Sequence, residues 1–212
     1  MYRMETTSRT GASRLLAGIF VLLAMTGFSA AAQAEGWYMG LNIGNARAND
    51  YFDNSIGVSS AIVDESDSAW RLYGGYHVYD IMALEFGYVN FGKNTVTGTY
   101  GGSPYSDKNE ARGIDALIVG TMGMTDNISA LGKLGFILYD VDSETTQSGV
   151  TTKTSDSGIR FNKFTYGIGG KYAFSKKYGM RLEWQRYRAL GDDANTGRSH
   201  YEIFSLGMMV NL

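Results

Sequence analysis

Apolar and polar residues alternate with a period of two over most of the chain, as in β-strands whose two faces differ. In the segment that begins at Trp37, apolar side chains occupy every second position as far as Ile43. The pattern predicts eight strands, over residues 37–44, 69–78, 82–89, 112–122, 128–139, 164–172, 180–185 and 204–212. The segment 112–122 is the least regular of these, because both of its faces are apolar at the centre.

The connections between the predicted strands alternate in length. The short ones lie at residues 79–80, 123–126 and 175–177. The long and polar ones cover residues 45–68, 92–110, 140–162 and 189–199. Short turns at one end and long loops at the other are typical of outer-membrane barrels, in which the short turns are periplasmic. An even number of strands would place both ends of the domain on the periplasmic side.

Charged residues in the middle of the predicted strands all fall on the less apolar face. They are Arg71, Glu85, Asp115, Lys133, Lys171, Arg181 and Glu183. A sheet in lipid must close on itself to pair its backbone groups, and eight strands enclose an interior that side chains fill. We therefore expect these seven residues to form a lumen charge network. Arg112 and Arg186 fall in the lipid-facing phase, but near the loops, where long side chains reach water.

Aromatic residues of the other face lie mostly near strand ends, where interfacial anchors are found. The predicted anchors are Trp37, Trp70, Tyr88, Tyr172 and Trp184. The fold class that follows is an all-β, eight-stranded antiparallel up-and-down transmembrane β-barrel. The alternative is a soluble lipocalin-like barrel with the apolar face inside, which would have to fit the Trp, Phe and Leu side chains of eight strands into one small interior.

The first residues have the order of a secretory signal peptide. Arg3, Arg9 and Arg14 precede an apolar run at 15–25, and small residues then lead to an A-x-A site that ends at Ala34. The run has roughly half of the ~20 residues that a membrane-spanning helix needs, although an uncleaved helical anchor is the alternative. We expect cleavage after Ala34, which removes residues 1–34 and leaves 35–212 as one barrel domain.

Composition excludes several classes of function. The chain has no Cys, so it has neither disulfides nor a thiolate metal site. Its net charge of −2 is too small to indicate a nucleic-acid partner. No Gly-rich phosphate loop or metal-ligand spacing is present, so we expect no cofactor and no metal.

Several of these segments, in their order and spacing, resemble a known family, the OmpA-like transmembrane domain. The segments are 36–44 (GWYMGLNIG), 72–76 (LYGGY), 83–88 (ALEFGY), 181–185 (RLEWQ) and 204–207 (FSLG). The resemblance implies residence in the outer membrane of a Gram-negative cell. It also implies a lumenal salt-bridge plug with gate-like alternatives, to which Glu85, Lys133, Lys171, Arg181 and Glu183 correspond by position. Lys171 stands where members often have an acid.

The sequence departs from the family in two ways. Last strands in the family usually end in Phe, whereas Leu212 ends this one, so the resemblance raises a question about assembly efficiency. Longer members carry a peptidoglycan-binding domain after the barrel, and we expect this chain not to tether the cell wall in that way.

Enzymatic alternatives rest on few residues. His200 with Asp192 or Asp193 suggests a surface protease site, and a lipid A hydrolase would need Ser and His on one lipid-facing edge. Ser205 and His200 have opposite parity along a strand, so they should face apart. His77 is expected to be a hydrogen-bonded lumen residue, and we expect no enzymatic activity.

The sequence therefore predicts a monomeric integral outer-membrane protein with a charge-filled lumen, which supports envelope integrity and presents surface loops. The alternative is a narrow porin-like channel for ions or small solutes. The expected partners are outer-membrane lipid and lipopolysaccharide, with the barrel-assembly machinery and periplasmic chaperones during biogenesis. The loops are rich in Ser, Thr, Asn, Asp, Gly and Tyr. This composition suits either the binding of a surface ligand or a hydrophilic cover over the barrel that binds no partner.

Overall fold

The computed structural model describes residues 36–49, 58–64, 66–158, 163–190 and 199–212, so the predicted signal peptide lies outside the described residues. Ten strands are present in this part of the chain. They are β1 (Trp37–Asn49), β2 (Val58–Asp64), β3 (Ser66–Tyr79), β4 (Met82–Tyr100), β5 (Ser103–Gly123), β6 (Ile128–Gln147), β7 (Val150–Gly158), β8 (Phe164–Ala173), β9 (Tyr178–Leu190) and β10 (Ser199–Asn211). Among the described residues, no helix is long and apolar enough to cross a membrane.

Eight of the strands close into one antiparallel ring, in the order β4-β3-β1-β10-β9-β8-β6-β5, and β5 returns to β4. The ring closes where the first strand pairs with the last, from Tyr38 opposite Asn211 to Asn49 opposite His200. The predicted eight-stranded antiparallel up-and-down barrel is therefore confirmed. Closure pairs the backbone groups of every strand of the ring and leaves no free sheet edge within it.

The two faces of the ring differ as the alternation predicts. On β4, Ala83, Glu85 and Gly87 are buried inside the barrel, while Leu84 and Phe86 point outward and are exposed. The exposed outward band consists mostly of Leu, Ile, Phe, Met and Trp. An apolar surface of this extent is unusual for a protein in water and is typical of a barrel that faces lipid. The soluble alternative would bury this band inside, and the structure places it outside.

Three of the predicted long loops are wrong, because their described residues are mainly strand. The segment predicted as a loop at 45–68 contains the end of β1, all of β2, which pairs with β4, and the start of β3. β4 and β5 stay paired as far as Tyr100 opposite Ser103, and β6 and β7 as far as Gln147 opposite Val150. Glycine allows the tight turns: Gly102 has a φ of 82°, and Gly149 has a φ of 81°. Outside lipid a hairpin needs no apolar face, so its Thr and Ser residues hide it from a hydropathy pattern.

A bulge marks the point where β4 leaves the ring for its hairpin. The register between β4 and β5 shifts between Asn90 and Lys93, and Gly92 adopts a φ of 75°. Asp67 of β3 accepts a hydrogen bond from the backbone N–H of Lys93 at 2.7 Å. Since a bulge inserts one residue, the inward phase changes from Phe91 to Asn94.

Candidate functional site in the lumen

Six of the seven charged residues predicted to line the lumen meet in one network at mid-height of the barrel. They are Arg71 of β3, Glu85 of β4, Asp115 of β5, Lys133 of β6, and Arg181 and Glu183 of β9. Each is at most 4% exposed. Inward alternation on five strands brings them together, and the three acids match the three bases in number. We call these six residues the lumen network.

Glu85 is the centre of the lumen network, because three cations surround its carboxylate. Arg181 donates from Nη1 to Oε1 at 2.5 Å, while Arg71 Nη1 and Lys133 Nζ donate to Oε2 at 3.1 and 3.3 Å. The hydroxyl of Tyr38 also donates to Oε1, at 2.9 Å. Glu85 is fully buried, so these bonds replace the hydration that its charge loses on burial.

A second acid holds Arg71 from the other side. Arg71 donates from Nε and Nη2 to the two carboxylate oxygens of Asp115, at 2.8 and 2.7 Å. This bidentate geometry is the strongest form of an arginine–carboxylate pair. The hydroxyl of Tyr187 donates to the same carboxylate at 2.9 Å. Arg71 therefore bridges Asp115 and Glu85 and joins three strands through one guanidinium.

Glu183 completes the network with Lys133. Lys133 Nζ donates to Glu183 Oε2 at 2.7 Å, and the amide of Asn42 donates to the same oxygen at 2.8 Å. Arg181 Nη1 lies 3.5 Å from Glu183 Oε1. Both Lys133 and Arg181 therefore contact the two glutamates Glu85 and Glu183, and each base has two acidic partners.

Neutral residues that the sequence analysis did not single out also belong to the site. The ring of Tyr73 has three cations over it, with Arg71 Cζ at 4.9 Å, Arg181 Cζ at 5.1 Å and Lys133 Nζ at 5.4 Å from its centroid. Cation–π contacts of this kind are worth about 0.5–2 kcal/mol each. The alternation places Tyr73 and Asn42 on the inner face of their strands. The residue type of a tyrosine, however, does not show whether it belongs to a buried network or to a lipid-facing anchor.

Lys171, the seventh predicted residue, lies apart from the lumen network. It is on β8 opposite Arg181, towards the short-turn end of the barrel, and is only partly buried. No ion pair to Lys171 is present within the described ranges. Alternation predicts the face on which a residue lies but not which side chains it contacts, so it does not distinguish Lys171 from Arg181.

Apolar side chains fill the lumen on both sides of the network. Towards the short turns, Leu117, Val119, Leu131 and Met209 pack with Tyr38 and Tyr73. Towards the hairpins, a larger cluster includes Phe91, Ile137, Tyr187, Tyr201 and Ile203. A cavity with about 10 Å³ of space for water lies beside Arg71 and Glu183, which is room for about one water molecule.

Inward-facing glycines make room for the aromatic members of the site. A Cβ atom on Gly75 would meet the ring of Tyr38, and one on Gly40 would meet the ring of Tyr73. A Cβ atom on the neighbouring Gly74 would have only the backbone oxygen of Tyr38, at 3.9 Å, near it.

We expect Gly75→Ala to destabilise the barrel by about 1–3 kcal/mol, the usual cost of overpacking, because Tyr38 must leave its hydrogen bond to Glu85. The measurement is urea unfolding of the refolded barrel in lipid vesicles. Gly74→Ala is the matched control, with an expected change below about 1 kcal/mol, within the range of a compatible glycine replacement. Equal stability of the two variants would mean that the ring of Tyr38 is not fixed by this contact.

The five predicted aromatic anchors all face outward, in two groups. Trp37 and Tyr172 lie towards the short turns, where Trp37 contacts Tyr76 at 5.1 Å between ring centroids and Tyr172 contacts Phe174 at 5.2 Å. Trp70, Tyr88 and Trp184 lie towards the hairpins, and Trp70 contacts Tyr88 at 5.4 Å. The positions are those of two aromatic girdles at the edges of an apolar band.

The residues of the enzymatic alternatives are not brought together in the described part. Ser205 is buried in the lumen, whereas His200 is partly exposed near the start of β10. Asp192 and Asp193 lie outside the described residues. Within the ranges that the structure covers, no group of three or more His, Asp or Glu side chains could hold a metal ion.

The fold is shared with solved outer-membrane barrels. OprG of Pseudomonas aeruginosa has a TM-score of 0.52 at 12% identity, covering 84% of this chain and 96% of that one. Ail of Yersinia pestis has a TM-score of 0.51 at 12% identity, with 84% and 100% covered. Neisserial surface protein A has a TM-score of 0.51 at 11% identity, with 84% and 98% covered. Identities this low show the shared fold alone.

Sequence comparison identifies the family. Outer membrane protein A of Escherichia coli O157:H7 is 26% identical over 195 residues, and that of Serratia marcescens is 24% identical over 201 residues. Each alignment covers 90% of this chain and only 53% or 54% of the relative, so the chain spans about half the length of these proteins. The family profile described as OmpA-like transmembrane domain matches residues 32–211. The chain therefore belongs to the OmpA-like transmembrane domain family and is a small outer-membrane β-barrel.

Proposed function

We propose that this barrel is closed, that it supports the integrity of the outer membrane as an integral protein, and that it presents its hairpins at the cell surface. The observation that carries the proposal is the balanced lumen network, in which three buried acids neutralise three buried bases between two apolar layers. An ion that entered would have to cross apolar side chains and break charge pairs. Breaking a buried pair costs about 3–5 kcal/mol, several times the thermal energy.

The orientation follows the usual arrangement of such barrels. Short turns at Asp80–Ile81, 124–127 and 174–177 would be periplasmic, and the hairpins β4–β5 and β6–β7 would stand outside the cell. The predicted removal of residues 1–34 after Ala34 fits export to the outer membrane of a Gram-negative cell. Thr and Ser on the hairpins provide hydrogen-bonding groups for a surface ligand.

Planar-bilayer conductance of the refolded barrel tests the closed lumen. We expect no steady unitary currents from the wild type. Arg181→Ala should lower the unfolding free energy by about 3–5 kcal/mol and admit ions, because Glu85 and Glu183 lose a shared buried partner. Lys108→Ala, which removes a positive charge from an exposed position on β5, is the control and should change neither property. An Arg181→Ala variant that keeps the stability of the wild type and shows no unitary currents would contradict the proposed role of the lumen network.

One observation favours a gated narrow channel as the second candidate. Lys133 and Arg181 each lie within 4.0 Å of both Glu85 and Glu183, so a base could exchange partners without leaving a charge unpaired. Unitary currents from the wild type that Arg181→Ala alters would favour this candidate over the closed barrel.

A further inference from the structure

Outward-facing charges gather where β9, β10 and β1 leave the apolar band. Arg47 of β1 lies directly opposite Glu202 of β10, and Glu202 lies directly opposite Arg186 of β9. Arg188 follows on the same face of β9 and is exposed, as is Arg47. Arg186 Nη1 is 3.2 Å from Glu202 Oε1. We call Arg47, Arg186 and Arg188 the rim arginines.

The rim arginines lie at the depth of the lipid headgroups. On the apolar-band side of Arg186 and Glu202, the next outward residues are Trp184 on β9 and Phe204 on β10, which lie directly opposite each other. Phe204 is exposed, and Trp184 contacts the ring of Tyr166 at 5.9 Å. A step of two residues along a tilted strand adds about 5 Å of height. The rim arginines therefore lie just beyond the aromatic girdle at the hairpin end.

The positive charge of the rim arginines is not fully compensated by the described residues. Glu202 neutralises one arginine, while Arg47 and Arg188 form no ion pair within the described ranges, and Arg186 Nε is buried without a hydrogen-bond partner there. Arg112, across the barrel on β5, is different: its Nη2 donates to Asp140 at 3.1 Å and to Asp142 at 2.9 Å. Among the described residues, the side of the rim formed by β9, β10 and β1 therefore presents an excess of about two positive charges, and the side at Arg112 presents no such excess.

We propose that the rim arginines bind the phosphate groups of the phosphorylated glycolipid of the outer leaflet, the lipid A part of lipopolysaccharide. Guanidinium groups match phosphate oxygens with two parallel hydrogen bonds, and Arg is preferred over Lys for this geometry. Glu202 holds Arg186 in place, and the acyl chains lie along Phe204 and Trp184 below the rim arginines. The assignment rests on the proposed orientation, in which the hairpin end of the barrel lies in the outer leaflet.

The test is native mass spectrometry of the full folded barrel in detergent micelles, titrated with bisphosphorylated lipid A. We expect the wild type to bind lipid A, and the triple variant Arg47→Gln, Arg186→Gln, Arg188→Gln to bind at least tenfold more weakly. Arg112→Gln is the matched control, since it removes an outward rim arginine whose charge two aspartates already compensate, and it should bind as the wild type does. Circular dichroism checks that every variant is folded.

Each further arm of the test separates the lipid from other anions. Dephosphorylated lipid A should bind the wild type as weakly as bisphosphorylated lipid A binds the triple variant, and millimolar inorganic phosphate should not displace the lipid. Equal affinity of the triple variant and the wild type would overturn the proposal, as would an equal loss in Arg112→Gln. Displacement by inorganic phosphate would show a general anion site in place of a lipid site.

Failure of this proposal is distinguishable from failure of the closed lumen or of the orientation. The rim arginines lie outside the lumen, so the triple variant should keep the conductance of the wild type. Binding in micelles does not depend on the direction of insertion. Protease cleavage at Lys153 of β7 in intact cells tests the orientation separately.

Discussion

Glu85→Ala should lower the unfolding free energy of the barrel by about 3–5 kcal/mol, because it leaves three buried cations around an empty centre. Arg71 keeps Asp115 and Lys133 keeps Glu183, so Arg181, whose remaining acid is 3.5 Å away, loses the most. Urea unfolding in lipid vesicles, followed by tryptophan fluorescence, gives the free energy.

Two comparisons make the result specific to the buried network. Asp142→Ala removes a half-exposed carboxylate at the rim and should cost no more than about 1 kcal/mol. The double variant Glu85→Gln, Lys133→Gln keeps acids and bases equal in number, so its loss should be smaller than the sum of the two single losses. Additive losses would mean that Glu85 and Lys133 act independently, against the 3.3 Å contact between them.

Ile118→Arg should lower the stability of the barrel in a bilayer by about 2–4 kcal/mol, since it places a cation on the outward face of β5 near the middle of the apolar band. Ile118 is 53% exposed and lies opposite Leu84 and Leu134, which also point outward. Unfolding in vesicles measures the cost.

Met122→Arg, four residues along the same face, is the matched control. Met122 is 66% exposed and lies at the short-turn end of β5, where an arginine reaches the headgroups and should cost about 0–1 kcal/mol. Equal costs at the two positions would show that the outward face meets a medium of uniform polarity and would contradict the depth of the lipid band.

The faces of the strands were predictable from the sequence because lipid imposes a strict rule on one side of the sheet. Leu84 points outward and Glu85 inward. Because a charge on the lipid side and an unpaired backbone group in lipid are both costly, the strand sequence must place apolar residues outside and charged residues inside. The ends of the strands were less predictable. The hairpins from 92 to 110 and from 140 to 158 pair through their backbones and through polar side-chain contacts such as that of Lys153 with Glu144. Their polar residues carry no phase that a hydropathy pattern can detect.

The lumen network was predictable in membership and less so in arrangement. A charge on the inner phase must be buried, which identified Arg71, Glu85 and Asp115. Which bases share which acids depends on strand tilt and register, and these set the height of each side chain. Lys171, in the correct phase, lies apart although it is opposite Arg181, whereas Tyr187, in an equally correct phase, reaches Asp115.

The seam between β1 and β10 determines the order in which this barrel can be completed. The seam pairs residues that are far apart in the sequence, such as Tyr38 and Asn211. No part of the seam therefore forms from local contacts. Until the seam closes, β1 and β10 each present a row of unpaired backbone groups that lipid does not solvate. A partly inserted ring would leave these groups unpaired in lipid, so we expect closure and insertion to be coupled. Once formed, the seam opens only with the whole barrel, so its amides should exchange with solvent as slowly as any in the molecule.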